Sequence, residues 1–214
     1  MSTQTPYHHG HLHAALLDAA EAVLAERGLT RFTLRECARR AGVSHAAPAH
    51  HFGGVSGLLT ALAARGFEHL VARVRLERGR RDAGDLDAQM IATTRAYVDF
   101  ARAEPEVFRL MFRCDVLDVD DGDLRAAAHQ TYAELTSVIR EQRGEAAMSS
   151  EELAHLASVP RLIEDILIGW CHIHGLAHLL IEGQLDMMIG DDEEAFLARV
   201  IADNGPRLGT VLRR

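Results

Sequence analysis

Most of the thirteen histidines in this 214-residue chain fall in three groups, and they are the first candidates for chemistry. His8, His9, His11 and His13 crowd the N-terminus; His45, His50 and His51 share one short segment; His172, His174 and His178 lie late in the chain. His174, His178 and Glu182 repeat every four residues, which places them on one helix face. Across eight residues such a face spans about 12 Å, so one ion would reach only the histidine pair and would need other helices to complete its shell. A core histidine and a histidine at a seam between chains is the reading we adopt. The N-terminal run has no scaffold to give it a metal geometry. Asp118–Asp123 resembles a calcium loop but fails its pattern: glycine (Gly122) falls at position five, and position twelve is His129 instead of Glu. Cys37, Cys114 and Cys171 are odd in number and far apart, which argues against disulfides and cysteine-bound zinc. Asp115 opposes any activation of Cys114 by Arg113. No Gly-x-Ser-x-Gly, phosphate-cradling loop or His-Glu-x-x-His is present, so no enzyme, no resident metal and no cofactor is expected.

Charge distribution is more telling than total charge. The chain carries −8, yet residues 1–81 hold 11 Arg against 6 acidic residues, whereas 82–214 hold 12 Arg against 25. A basic third joined to an acidic remainder suits a protein that meets phosphate at one end only. Ile166–Ile181 is the nearest approach to a membrane span and carries three histidines; no membrane partner is expected. The first residues lack a signal peptide, which points to the cytoplasm.

The elements that must position these groups are helices. Apolar residues recur at spacings of three and four, with no period-2 alternation, and Ala and Leu are abundant. A first helix runs about His9–Arg27, with Leu12, Leu16, Ala19, Ala20, Val23 and Leu24 on one face and Gly28 as its stop. Thr33, with Glu36 three residues on, reads as a capping box for a second helix ending at Gly42. Ser44 is expected to cap a third, His45–His51. After Gly53-Gly54 come helices at about Val55–Arg81, Leu86–Ala103, Glu106–Phe112, Leu124–Arg143, Ser150–Glu182 and Asp192–Leu212. Pro105 begins one and Pro160 kinks or restarts another. The expectation is an all-α protein of nine helices.

Thr33–Phe52 is the informative block. Two short helices meet at Ala41-Gly42-Val43-Ser44, where Gly42 supplies a positive φ and Ala38 must be small for the second helix to pack over it. Leu34, Cys37, Ala41 and Val43 form the apolar underside. That is a helix-turn-helix, whose second helix would enter a major groove. Over about Tyr7–Leu70 the chain resembles the TetR family of transcriptional regulators, in the Thr-led helix, the Ala-Gly-Val-Ser turn and the His-His-Phe ending. Tyr7-His8-His9-Gly10, Ser44–Pro48 and Trp170-Cys-His-Ile-His174-Gly175 resemble a subgroup with a Trp-x-x-x-His-Gly signature.

The resemblance implies a DNA-binding domain at 1–54 and a ligand-binding and dimerisation domain at 55–214, with the helix at about 55–81 connecting them. It implies a homodimer on double-stranded operator DNA, sealed by the last two long helices, with Gly169 and Gly175 permitting close approach. The N-terminal histidines become an arm lying along DNA. The DNA contacts fall on Arg31, Thr33, Arg35, Arg39, Arg40, Ser44, His45, Ala46, Ala47, Ala49, His50 and His51. Three positions depart from the family: Ala49 replaces a usual Tyr, His50 an Arg or Lys, and Val55 a phosphate-contacting Lys. Each lost cation removes about one counterion-release unit from affinity. A small-molecule effector would lie among Tyr97, Phe100, Phe108, Met111, Phe112, Tyr132, Ile166, Trp170, His174 and His178, a mostly apolar set with a few hydrogen-bonding tips. The function expected is a ligand-responsive repressor. Its rivals are an interaction protein of the same fold with weak or lost operator binding, suggested by Ala49, His50 and Val55, and a metal- or haem-responsive sensor, suggested by the histidines.

Overall fold

The computed structural model describes residues 7–146, 148–149, 152, 160–189 and 192–211, with the side chains of 7–10, 160–166, 168 and 204–211 outside that description. The described residues are all-α, with ten helices and no strand. They fall into two compact units, residues 1–67 with 104–127 and residues 68–103 with 128–214.

The first unit holds α1 (Tyr7–Arg27), a 3-10 turn (Leu29–Arg31), α2 (Leu34–Arg40), α3 (Ala47–Phe52), the start of α4 (Val55–Arg78) and α6 (Pro105–Met111). Leu16, Ala20, Val23 and Leu24 of α1 are fully buried, following the expected face, with Leu58 and Leu62 of α4. Helix α1 packs against α2 and α6. Arg65 ties α4 to α1 by donating to Asp18 at 2.6 Å and to the Leu17 carbonyl at 2.9 Å. Gly66 brings α4 onto α6: a Cβ there would lie 2.8 Å from Val107 Cγ1 and 2.9 Å from Met111 Sδ.

The second unit contains the rest of α4, α5 (Leu86–Ala103), most of α7 (Gly122–Gln142), α8 (Pro160–Ile181), a short α9 (Asp186–Ile189) and α10 (Glu193–Val211). Helix α5 packs against α8 and α10, with Tyr97, Phe100 and Leu197 at most 1% exposed. Arg102 pairs with Glu193 at 3.0 Å along that contact.

Several expected boundaries are corrected. The third helix starts at Ala47 instead of His45, and Ser44 does not cap it: Ala46 is the N-cap residue, with no side-chain bond. Pro48 explains the shift, because its fixed φ and missing N–H suit the first turn of a helix. Helix α4 stops at Arg78, α9 was not expected, and the described residues form ten helices where nine were expected for the chain. The expected Ser150–Glu182 helix is described from Pro160, and most of 150–159 lies outside the described residues. His11 and His13 belong to α1, within the first helix expected from about His9; the side chains of His8 and His9 lie outside the description.

Candidate nucleic-acid interface and effector cavity

The turn between α2 and α3 is built by backbone hydrogen bonds. Val43 N–H donates to the Ala38 carbonyl at 3.0 Å and Gly42 N–H to Arg39 at 3.3 Å, a paired closure of the α2 end that requires a left-handed residue at Gly42. Gly42 has φ of 69°. At the other end of α2, Thr33 Oγ1 accepts from Glu36 N–H at 3.3 Å, as the capping motif requires. Cys37 and Ala38 are fully buried. Burial pushes the Cys37 thiol up to about 11, so it stays protonated and inert.

The expected capping box is half made: instead of reaching back to the Thr33 N–H, the Glu36 side chain turns to arginines, which spacing alone does not reveal. Its carboxylate accepts from Arg39 at 2.9 and 2.7 Å, from Arg27 at 3.0 Å and from Arg40 at 3.3 Å. Arg39 and then Arg40, outweighing partial burial, hold the carboxyl down at about 2. Arg40 also bonds Glu26 of α1, at 2.7 Å through Nη1, and only 19% of its side chain is exposed. Arg39 remains outward but shared; Arg40 is a stitch between α1 and α2. Among the described residues Arg31 and Arg35 are exposed and have no carboxylate partner.

Thr33, Ser44, His45, Ala46, Ala49 and His50 are exposed, whereas Ala47 and His51 are half-buried. Pro48 is buried and Phe52 packs on His13 of α1, ring centres 4.7 Å apart. That settles which side of α3 faces the body. Val55, where a lysine is usual, is 43% exposed at the start of α4.

The expected effector residues divide between the two units. Phe108 and Met111 are core residues of the first unit, and Phe112 meets Phe67 and Phe108 at 5.6 and 5.4 Å between ring centres. Phe100 is buried in the second unit but lines no cavity described there. Ile166 lies on α8 with its side chain outside the description. The remaining five form one run. Tyr132 packs on Trp170 at 5.7 Å, Trp170 on His174 at 5.4 Å, and His174 on His178 at 4.5 Å. Tyr97 Oη lies 2.8 Å from His174 Nδ1.

The Trp170 indole, a hydrogen-bond donor only, lies close enough to the Tyr97 phenol to oppose part of the upward shift of its pKa. The Tyr97 hydroxyl is also hydrogen-bonded to His174 Nδ1, with donor and acceptor set by the histidine tautomer. Burial first, and the neighbouring His178 second, push His174 down to about 4, and burial pushes the Tyr97 phenol up. Trp170 and His174, one turn apart on α8, thus meet at a single hydroxyl on α5. Beside this run lies a mainly apolar cavity of about 50 Å³. Tyr132 and Trp170 line it, as do Thr93, Thr94, Thr136 and Ile139, which sequence reasoning missed. The threonine hydroxyls are already bonded to carbonyls one turn back at 2.9, 3.0 and 2.7 Å. Gly169, expected at a dimer contact, also lines the cavity and faces Ile139 at 3.5 Å from its notional Cβ.

The other candidates have structural roles. Asp121 Oδ1 accepts from Leu124 N–H at 2.9 Å and caps α7, and Asp118 accepts from Asp120 N–H at 3.1 Å. Arg113 is held by Asp115 through two 2.7 Å bonds beside the exposed Cys114. Among the described residues no helix is long and apolar enough to cross a membrane.

Residues 16–62 match the model described as bacterial regulatory proteins, tetR family, and residues 90–204 match the tetracyclin repressor-like C-terminal domain. Comparison with curated proteins finds no significant match. Among solved structures, a protein of unknown function from Rhodococcus sp. RHA1 is 28% identical, with a TM-score of 0.73, covering 99% of this chain and 100% of that one. A TetR-family transcriptional regulator from Streptomyces coelicolor is 18% identical, with a TM-score of 0.61 over 94% of this chain and 99% of its own. One from Marinobacter aquaeolei VT8 is 17% identical, with a TM-score of 0.59 over 94% and 98%.

Proposed function

The chain belongs to the TetR family of bacterial DNA-binding transcriptional regulators, and from that premise we propose that it is a homodimeric repressor released from its operator by a small, largely apolar molecule. The observation that carries the effector reading is the cavity beside Trp170. Its threonine hydroxyls already have partners within their own helices, so a guest gains little by bringing hydrogen-bonding groups to them. At about 50 Å³ the cavity is well below the roughly 150 Å³ that admits benzene and the roughly 300 Å³ at which ligand pockets begin. The effector must therefore enlarge it, and the enlarged arrangement is the one a bound ligand selects. Release from DNA requires that the ligand favour the DNA-incompetent state; equal affinity for both states shifts nothing. Exposed Leu167 and Leu179 on α8 supply apolar surface for a second copy.

Trp170 is the only tryptophan in the chain, so its emission reports directly on the cavity. A panel of small aromatic and aliphatic compounds is titrated while emission and binding to the gene's own upstream DNA are followed together. The expected result is a compound that shifts the emission and weakens DNA binding over the same concentration range, with DNA weakening the compound's affinity by the same factor. A compound that shifts the emission and leaves DNA affinity unchanged overturns the switch.

The engagement of Arg39 and Arg40 by carboxylates, with Ala49, His50 and Val55, favours a second reading: an interaction protein with little operator binding. Absence of a mobility shift on the upstream DNA at micromolar protein selects it.

A further inference from the structure

The outward side of α3 is chemically unusual for a groove reader because it is nearly free of permanent charge. Ala46, Ala49 and His50 stand three and four residues apart, on one face, and all three are exposed, with His45 exposed beside them. Ala46 has helical backbone angles, φ −83° and ψ −19°, so the helical spacing holds from there. Buried Pro48, and Phe52 against His13, occupy the inward side. Arg39 and Arg40 on the preceding helix are engaged by Glu36. What meets a groove is therefore two methyl groups flanked by imidazoles. A methyl forms no hydrogen bond, and the one base-edge feature in the major groove that complements it is the C5-methyl of thymine. Ala46 and Ala49 are about 4.5 Å apart along the helix axis, close to the roughly 3.4 Å between stacked bases. A neutral imidazole donates one N–H, which suits purine N7 or guanine O6.

We propose that α3 reads DNA chiefly by apolar contact, with Ala46 and Ala49 against thymine methyls on neighbouring base pairs and His45 and His50 donating to purine acceptors on either side. This rests on the DNA-binding reading above and names the base chemistry of that same face. Discrimination is then carried by groups that only base edges can satisfy, and phosphate charge contributes little to it.

The test uses the full-length protein and a random-sequence duplex pool at pH 7.5. The duplex retained is remade with each thymine replaced in turn by deoxyuridine, which removes only the methyl, and each purine by its 7-deaza analogue, which removes only N7. Two adjacent uracil-sensitive positions per half-site are expected, each weakening binding by about fourfold, the worth of one buried methyl. Flanking purines should be 7-deaza-sensitive. Ala49→Gly should bring the thymine-to-uracil ratio at one of those positions to one and leave the other intact. The ratio is taken within each variant, so partial unfolding cancels. A retained duplex indifferent to uracil at every position overturns the proposal while DNA binding stands. A protein that retains no duplex sinks both.

Discussion

The reader unit and the unit holding the cavity both draw their polar groups inward, by opposite means. In the reader the groups stay ionised: Glu36 binds three guanidinium groups and remains charged down to about pH 2. In the second unit they stay neutral: Tyr97 and His174 share a proton at 2.8 Å, each with its charged form disfavoured by burial. The difference follows from the charge of the neighbours. The buried Glu36 carboxylate is met by three guanidinium groups that outweigh its lost hydration. The half-buried His174 imidazole meets a phenol and a second imidazole, and no anion, in return for the hydration it loses. Each unit ends with a surface of little net charge facing its proposed partner, methyls toward DNA and a mainly apolar wall toward an effector.

That comparison can be broken most decisively at Phe108. As a fully buried residue of the first unit, Phe108→Ala should cost about 3–5 kcal/mol and disrupt the reader, measured by chemical denaturation and DNA binding. A folded, DNA-bound variant with an altered effector response would return Phe108 to the effector site.

Salt sharpens the charge side. With Arg31 and Arg35 as the unengaged cations of each reader, a dimer neutralises about four phosphates and log affinity should fall with log salt at a slope near −3.6, roughly a hundredfold between 50 and 200 mM. Glu36→Gln releases Arg39 and part of Arg40 and should steepen the slope. A wild-type slope near about −7 would mean that the ion pairs of Arg39 and Arg40 open on DNA.

The neutral side is sharpened by pH. His174 titrates near 4 in the folded chain against about 6.5 unfolded, so the unfolded state binds the proton first. Stability should fall as pH drops from 6.5 toward 4, by about 2 kcal/mol at pH 5. His174→Gln keeps an acceptor for Tyr97 and should flatten that dependence; an unchanged profile would assign the loss elsewhere. The smallest effect is at the α2 cap: Thr33→Ala should cost about 1 kcal/mol, read by chemical denaturation.

The helix-turn-helix was legible because its signals are local. Gly42 and Thr33 act on backbone within a few residues, and both do what their types and places require. Ser44 misled because Pro48, four residues on, competes to set the helix start. The engagement of Arg40 was not legible, because its carboxylate partner Glu26 is fourteen residues away, on another helix. The cavity was least legible. Phe108 and Trp170 are equally apolar in a one-dimensional pattern, and only the packing of α6 and α8 separates them. Thr93, Thr94 and Thr136 carry no signal at all, since a threonine bonded one turn back resembles any other helical threonine.

The void beside Trp170 has a volumetric consequence. A cavity of about 50 Å³ in each chain amounts to about 30 mL per mole of chains, comparable with the lower end of volume changes on protein unfolding. Hydrostatic pressure should therefore act on the second unit at the cavity beside Trp170, favouring arrangements in which that volume is eliminated.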